Sequence, residues 1–285
     1  MSRAQSEPDG NGWKTAALYA AWLLAAVFFP APIVWSVANS FKPAAAALAD
    51  PVSLFSQAFS LENYRRLEGV GAGWTTYAAN SVIIALGTVA LTIAVAVPAG
   101  YGFSKFRFPG QTALFIVAMA TLMIPFQSIL TPLFLVLNFF KLQNSLLGLV
   151  LIYSTFQLPF SIFMMRNAFD AVPKALIEAA RIDGASQWTI LRRIMMPIAL
   201  PGVATVALFA FLNSWNEFLA ALIFISDQNK FTLPIMLVNV SSGIYGIIDW
   251  GALQAGVTVT MIPCLVLFLL LQRYYVRGLT AGAVK

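Results

Sequence analysis

The chain has 285 residues, 60% of them apolar and 10% charged, against about a quarter charged in an ordinary soluble domain, so it reads as an integral membrane protein. A formal net charge of +6 fits membrane topology and lipid headgroups, which removes the main reason to expect a nucleic-acid partner. With no His and one Cys, histidine-based acid–base catalysis, His/Cys zinc sites and an intrachain disulfide are excluded.

Six stretches without charge exceed the roughly 20 residues that a helix needs to cross about 30 Å of hydrocarbon. The first span covers residues 15–39. Its apolar part is too long for a signal-peptide core, and Glu7 and Asp9 stand beside Arg3 and Lys14, so it is read as a span and not as a cleaved leader. A loop with Pro43, Pro51 and the amphipathic piece SLENYRRLE (60–68) follows, with Ser60 placed to cap a short helix. The second span covers 76–101 and reverses at KFRFPG. The third covers 111–137, with Pro125 and Pro132 as expected kinks. The turn NFFKLQNS leads into the fourth span, 146–165, with Pro159 inside it.

Residues 166–200 carry charge again, and the fifth span runs from 201 to 225. The segment 226–251 is too apolar for a solvated loop and is expected to dip back toward the protein or to hold a structured hairpin. The sixth span, 255–272, holds Cys264 as a small buried hydrophobe. If the N-terminus is inside, twelve Lys and Arg lie on inside segments and five (Lys42, Arg65, Arg66, Lys141, Lys230) lie outside, and this bias selects that orientation. The expected architecture is therefore an all-α integral membrane fold of six transmembrane helices with both termini cytoplasmic. It divides into a cytoplasmic N-terminal segment (1–14), a transmembrane domain (15–273) and a cytoplasmic tail (274–285).

No GxxxxGK[ST] occurs, nor any GxGxxG opening a helix, so the chain has no phosphate loop of its own. Transport, not catalysis, is the expected activity. The inside segment 166–200 is the most informative. Pro173 suits a helix start, KALIEAARID gives about three turns, and Gly184 supplies a left-handed stop. Ser186 can cap a second helix, QWTILRRIMM, which Pro197 is expected to end, with Trp188, Leu191 and Met195 as its apolar stripe. The spacing of Leu176, Ala179, Ala180 and Asp183 places two alanines on a smooth surface open to another protein. On periodicity alone, the segment could equally be an interfacial connector between spans.

The order of residues goes further. Glu178-Ala179-Ala180, three residues, Gly184, nine residues, Ile194, one residue, then Met196-Pro197 resembles the EAA-x3-G-x9-I-x-LP coupling motif of bacterial ATP-binding-cassette (ABC) importer permeases. Met196 replaces the leucine, a volume-conserving change. MIPFQSILTPLF, NSLLGLVLIY, FMMRNAFDAVPKALIEAARIDGA, SWNEFLAALIF, FTLPIML and RGLTAGAVK are similar to the carbohydrate-uptake branch of that family, in its second, maltose-type G-subunit-like permease, from about residue 80 onward.

That resemblance implies a multi-pass subunit of the bacterial cytoplasmic (inner) membrane. It implies a heterodimer with a second permease, two copies of an ABC ATPase that hold the ATP and Mg, and an extracytoplasmic sugar-binding protein; the chain itself binds no cofactor or metal and has no catalytic residue. Glu178, Ala179, Ala180, Asp183, Gly184, Ile194 and Pro197 would carry coupling to the ATPase, segment 226–251 would reach the binding protein, and the tail from Arg277 would enter the space between the ATPases.

Pathway candidates are the polar side chains within spans: Asn80, Gln127, Gln157, Asn213, Asn216 and Glu217, with Ser128 and Thr131 nearby. Asn213, Asn216 and Glu217 are spaced to share one face of the fifth span. Each could instead serve as an interhelical hydrogen-bonding group. Three other readings stay open: an ion-coupled secondary transporter, for which Glu217 is the candidate intramembrane acid, a structural or scaffold membrane subunit, and an ABC permease for a non-sugar solute such as a glycerol-phosphate-type compound.

Overall fold

The computed structural model describes residues 12–50, 58–243 and 248–283, and all regular structure among them is helical. The expected N-terminal segment 1–14 falls almost wholly outside the described residues. Helices α1 (Gly12–Phe28) and α2 (Ala31–Ser40) form one apolar stretch interrupted before Pro32. The side chains of α1 are exposed nearly all round, as suits a helix solvated by lipid.

Short helices α3 (Ala44–Ala49) and α4 (Glu62–Glu68) follow. They are tied to α2 by Asn63, whose amide donates to the carbonyls of Ser40 (3.0 Å) and Lys42 (2.7 Å). The Ser60 hydroxyl accepts from Glu62 N at 3.1 Å, close to the expected cap.

The body of the fold is α5 (Trp74–Lys105), α8 (Leu146–Asp170) and α12 (Leu200–Asn216), packed on one another. At 32 residues α5 is about 48 Å long, more than the hydrocarbon thickness. Small residues let these helices approach closely. A Cβ on Gly100 would lie 2.6 Å from Met165 Cβ, and one on Gly202 would lie 2.6 Å from Ala168 Cβ. The long helix α15 (Trp250–Ala283) packs on α2, α4 and α14 (Leu233–Ser242). The expected tail from residue 274 is a continuation of α15 through Ala283, and residues 284–285 lie outside the described residues.

Four stretches are straight, long and apolar enough to cross a bilayer: Trp13–Ser40, Trp74–Lys105, Leu146–Asp170 and Trp250–Leu270. Of the other two expected spans, the third is bent and the fifth is cut short. In the third, α6 (Gln111–Ala120) and α7 (Leu130–Phe139) belong to limbs that meet at 99°, with two short 3₁₀ turns between them. Pro125 has no N–H to continue the helix and forces Ile124 into an extended conformation (φ −83°, ψ 117°). Pro132, the other expected kink, sits harmlessly in the first turn of α7.

The fifth is shorter than expected. Helix α12 ends at Asn216, Glu217 turns out into an extended conformation (φ −71°, ψ 128°), and α13 (Leu219–Phe224) restarts. The Glu217 carboxylate accepts the N–H groups of Ala220 (2.9 and 3.1 Å) and Ala221 (3.3 Å), capping the new helix.

Of the segment 226–251, residues 226–243 dip toward the protein, where helix α14 buries Leu233, Ile235, Met236 and Val240, and residues 244–247 lie outside the described residues. Asn144, in the left-handed region (φ 53°), holds the start of the segment by accepting from Ser226 N (3.2 Å) and Asp227 N (3.0 Å). The Asp227 carboxyl is held below the usual range, chiefly by the Asn229 backbone N–H.

Candidate functional site

Two regions collect the residues singled out from the sequence. The first is a cavity of about 180 Å³ between α8, α12 and the break in the third stretch. Tyr153, Phe156 and Gln157 reach it from one face of α8, at helical spacing i, i+3, i+4. Asn213 and Ser214 reach it from α12, Phe126 from the break, and Glu217 from the point where α12 stops.

Two separate sets of hydrogen bonds order this lining. Asn213 Nδ2 donates to Gln157 Oε1 (2.8 Å), Gln157 Nε2 donates to Ser161 Oγ (3.3 Å), and the Tyr153 hydroxyl donates to Glu217 Oε2 (2.5 Å). Phe126 and Phe156 stand edge to face, 4.7 Å apart at 89°, as an apolar wall. Amide, hydroxyl and carboxylate groups beside aromatic surface suit a small polar solute with both donors and acceptors.

The structure thus brings together Gln157, Asn213 and Glu217, but it does not put Glu217 on the helical face of Asn213 and Asn216. Glu217 enters the cavity because the helix ends there. Asn216 is exposed and donates to Leu212 O in its own helix (2.7 Å). Asn80 lies elsewhere and donates to the carbonyls of Asn229 (2.8 Å) and Phe231 (3.0 Å), anchoring the segment before α14. Gln127, Ser128 and Thr131 are exposed around the break and do not line the cavity. Sequence reading missed Tyr153, Phe126 and Phe156; the clue for Tyr153 was its position four residues before Gln157.

The second region is the charged segment. Helix α9 (Lys174–Ile182) ends in a Schellman turn: Gly184 takes φ +76°, its N–H reaches Arg181 O (3.0 Å), and Ala185 N reaches Ala180 O (2.9 Å). Ser186 caps the next helix, α10 (Gln187–Ile190), by accepting from Thr189 N (3.2 Å). The chain then passes through a π turn, Leu191–Met195, into α11 (Met196–Ile198). Pro197 does not stop this helix. It lacks an N–H and crowds the carbonyl four residues back, and the wider π turn ahead of it accommodates both; the break falls at Ala199, where the chain turns by 79° into α12.

The buried side of this unit matches expectation in part: Leu191 and Met195 of the expected stripe are buried, Trp188 is not. Ile177 and Ala180 of α9, with Ile190, Leu191 and Met195, pack into a cluster with Val97, Tyr101, Met165 and Phe169. Tyr101 also donates to Gln187 Oε1 (2.9 Å). Ala179 is exposed while Ala180 is buried, so the two alanines do not form one open surface. Trp188 is 66% exposed and lies outside the stripe expected for it. Glu178, Ala179, Asp183, Gly184 and Pro197 are exposed, and Ile194 packs against the cluster. Ile182, 87% exposed beside Asp183, joins the open face; nothing in its spacing marked it. The unit is a helix pair fixed to the bundle by its apolar side, with charged residues of both signs and apolar side chains left open.

Comparison with known proteins places these features. The binding-protein-dependent transport system inner membrane component family matches residues 92–281, a range that includes both regions. The chain is 34% identical, over its whole length and 93% of the relative, to the diacetylchitobiose uptake system permease protein NgcG of Streptomyces coelicolor. It is 33% identical, over 92% of its length and 94% of the relative, to the trehalose/maltose transport system permease protein MalG of Thermococcus litoralis. In fold it is similar to a chain from the crystal structure of a bacterial ABC transporter involved in import of the acidic polysaccharide alginate. That likeness has a TM-score of 0.79 at 22% identity and covers 95% of this chain and all of that one.

Proposed function

The chain belongs to the binding-protein-dependent transport system inner membrane component family, and from that premise we propose that it is a permease subunit of an ATP-driven sugar importer. Relatives named for uptake of chito-, malto- and arabino-type saccharides support the cargo class. Permeases of this family are not themselves catalytic. The proposed setting is the inner membrane of a bacterium, with both termini cytoplasmic and six spans, the third taken across its bend at Pro125 and the fifth taken as α12, with α10 and α11 left in the coupling segment. The proposed partners are a second permease, two ATPase subunits carrying ATP and Mg, and an extracytoplasmic sugar-binding protein.

The observation that carries this reading is the helix pair α9–α10. Its inner side is locked into the bundle by Ile177, Ala180, Ile190 and Met195, and its outer side presents Glu178, Ala179, Ile182, Asp183 and Trp188. A rigid handle is what a partner needs to shift a bundle between two states, because force applied to a loose loop would be absorbed locally. Glu178, Ala179, Ile182, Asp183 and Gly184 act as the coupling surface, with Ala180 and Ile194 holding it from within. Gln157, Asn213 and Glu217, with Tyr153, line this subunit's share of the pathway, where a sugar's hydroxyls exchange hydrogen bonds as it passes.

The test is uptake by the assembled complex reconstituted in vesicles. The reading expects co-purification with an ATPase and uptake that stops when ATP is withdrawn. Uptake that persists without ATP and collapses with an ion gradient would replace it with secondary transport driven through Glu217.

A further inference from the structure

A second polar cavity, of about 220 Å³, lies beside the coupling helix and has no part in the proposed transport path. It is lined by Lys105 at the end of α5, Arg107 in the turn after it, and Lys174 and Arg181 of α9, against the carboxylates of Asp170 and Glu178. Asp170 is already engaged, accepting from Ser104 Oγ at 2.6 Å and lying 3.7 Å from Arg166 Nε. Among the described residues, the four lining cations form no ion pair within 4.0 Å. Cations at helix C-termini answer the helix dipole, yet Arg107 and Lys174 do not end a helix, so the dipole leaves half of the cluster unexplained.

The location narrows the ligand. The cavity sits where two apolar spans, α5 and α8, both end, and Phe106 and Phe108 flank Arg107 with their rings partly exposed. A basic hollow at the ends of apolar spans suits the headgroup layer, where anionic lipid attracts Lys and Arg. We propose that this cleft binds the phosphodiester headgroup of an anionic phospholipid, which bridges the α5–α6 turn and α9 and so ties the coupling helix to the lipid. The proposal rests on the inside orientation given above.

The test uses the purified complete transporter, extracted from vesicles of phosphatidylglycerol and phosphatidylcholine, with retained lipid counted by native mass spectrometry. Phosphatidylglycerol is expected to be retained in preference to phosphatidylcholine. With Lys105→Gln and Arg107→Gln combined, its binding should weaken roughly 30-fold, taking about fivefold for each charge. The charge-conserving pair Lys105→Arg and Arg107→Lys should keep it. Lys174→Gln, at an exposed position, repeats the test if the double variant fails to assemble. Equal retention by wild type and neutralised variants would overturn the proposal, as would equal retention of the two lipids. Displacement by inorganic phosphate would assign the site to a soluble phosphate compound and overturn the lipid. Arg107→Cys, probed with a membrane-impermeant maleimide, tests orientation separately: labelling from outside would overturn the topology whatever the lipid count.

Discussion

The hydroxyl of Tyr153 and the carboxylate of Glu217 meet at 2.5 Å across the junction of α8 with the break after α12. The same carboxylate caps α13 through Ala220 and Ala221, so one side chain closes a helix end and fixes a cavity wall. Glu217→Ala removes the cap and strands the Tyr153 hydroxyl, a loss of about 2–4 kcal/mol. Tyr153→Phe leaves the cap and should cost less, about 1–2 kcal/mol. Thermal unfolding of the two variants in one detergent should rank them in that order; the reverse ranking would mean that the cap is not what the carboxylate is for.

Gln157→Leu and Asn213→Leu remove partners of one hydrogen bond without emptying the cavity. If the cavity is part of the pathway, each should raise the KM for uptake several-fold while basal ATP hydrolysis by the complex changes less than twofold. Unchanged uptake kinetics in both would leave the pair as an interhelical bond only.

Gly184 has open space around the position of a Cβ, so substitution there is resisted by its backbone angle and not by crowding. Gly184→Ala should cost about 1–2 kcal/mol of local order. Gly184→Pro also loses the bond to Arg181 O and cannot reach φ +76°, and it should lower sugar moved per ATP at least tenfold. Glu178→Ala, at an exposed site, should leave the melting temperature unchanged yet reduce ATPase retention on purification. Normal uptake in both would remove the coupling role.

Gly100 and Gly102 make an internal control on α5. A Cβ on Gly100 would lie 2.6 Å from Met165 Cβ and 2.9 Å from Arg166 N, whereas one on Gly102 meets nothing within 4 Å. Gly100→Ala must push α5 and α8 apart and should cost about 1–3 kcal/mol, while Gly102→Ala should be neutral or slightly stabilising. Comparable melting of the two would show that α5 and α8 do not pack this closely.

Asn80→Ala should leave the bundle intact and release the carbonyls of Asn229 and Phe231. Amide exchange over residues 229–233 should then rise about tenfold, with protection in α8 unchanged.

Much of this was legible in the chain. Length and apolarity located α5, α8 and α15; Gly184 and Ser186 marked the helix turn and the cap they form. The directions of the two bent stretches were not legible, because in a membrane both the lipid face and the protein face of a helix are apolar, so periodicity loses its contrast. Glu217 misled for a related reason. Spacing assumed that a helix continues, and the carboxylate, which prefers the free N–H groups of a new helix end, is the group that ends it. Ala179 and Ala180 were indistinguishable by type, and only the packing of Ile177 shows which one turns inward.

The bend at Pro125 has a consequence beyond local geometry. Its limbs, Gln111–Met123 and Phe126–Phe139, are each about 20 Å long, short of the roughly 30 Å of hydrocarbon that one of them alone would have to bridge. The backbone groups freed at the bend can find no partner in lipid tails. An apolar hollow of about 490 Å³ opens beside it, walled by Leu122, Ile124, Thr155 and Pro159. Neither limb reaches across the hydrocarbon by itself, so the two make one span only with the bend lying inside the bilayer.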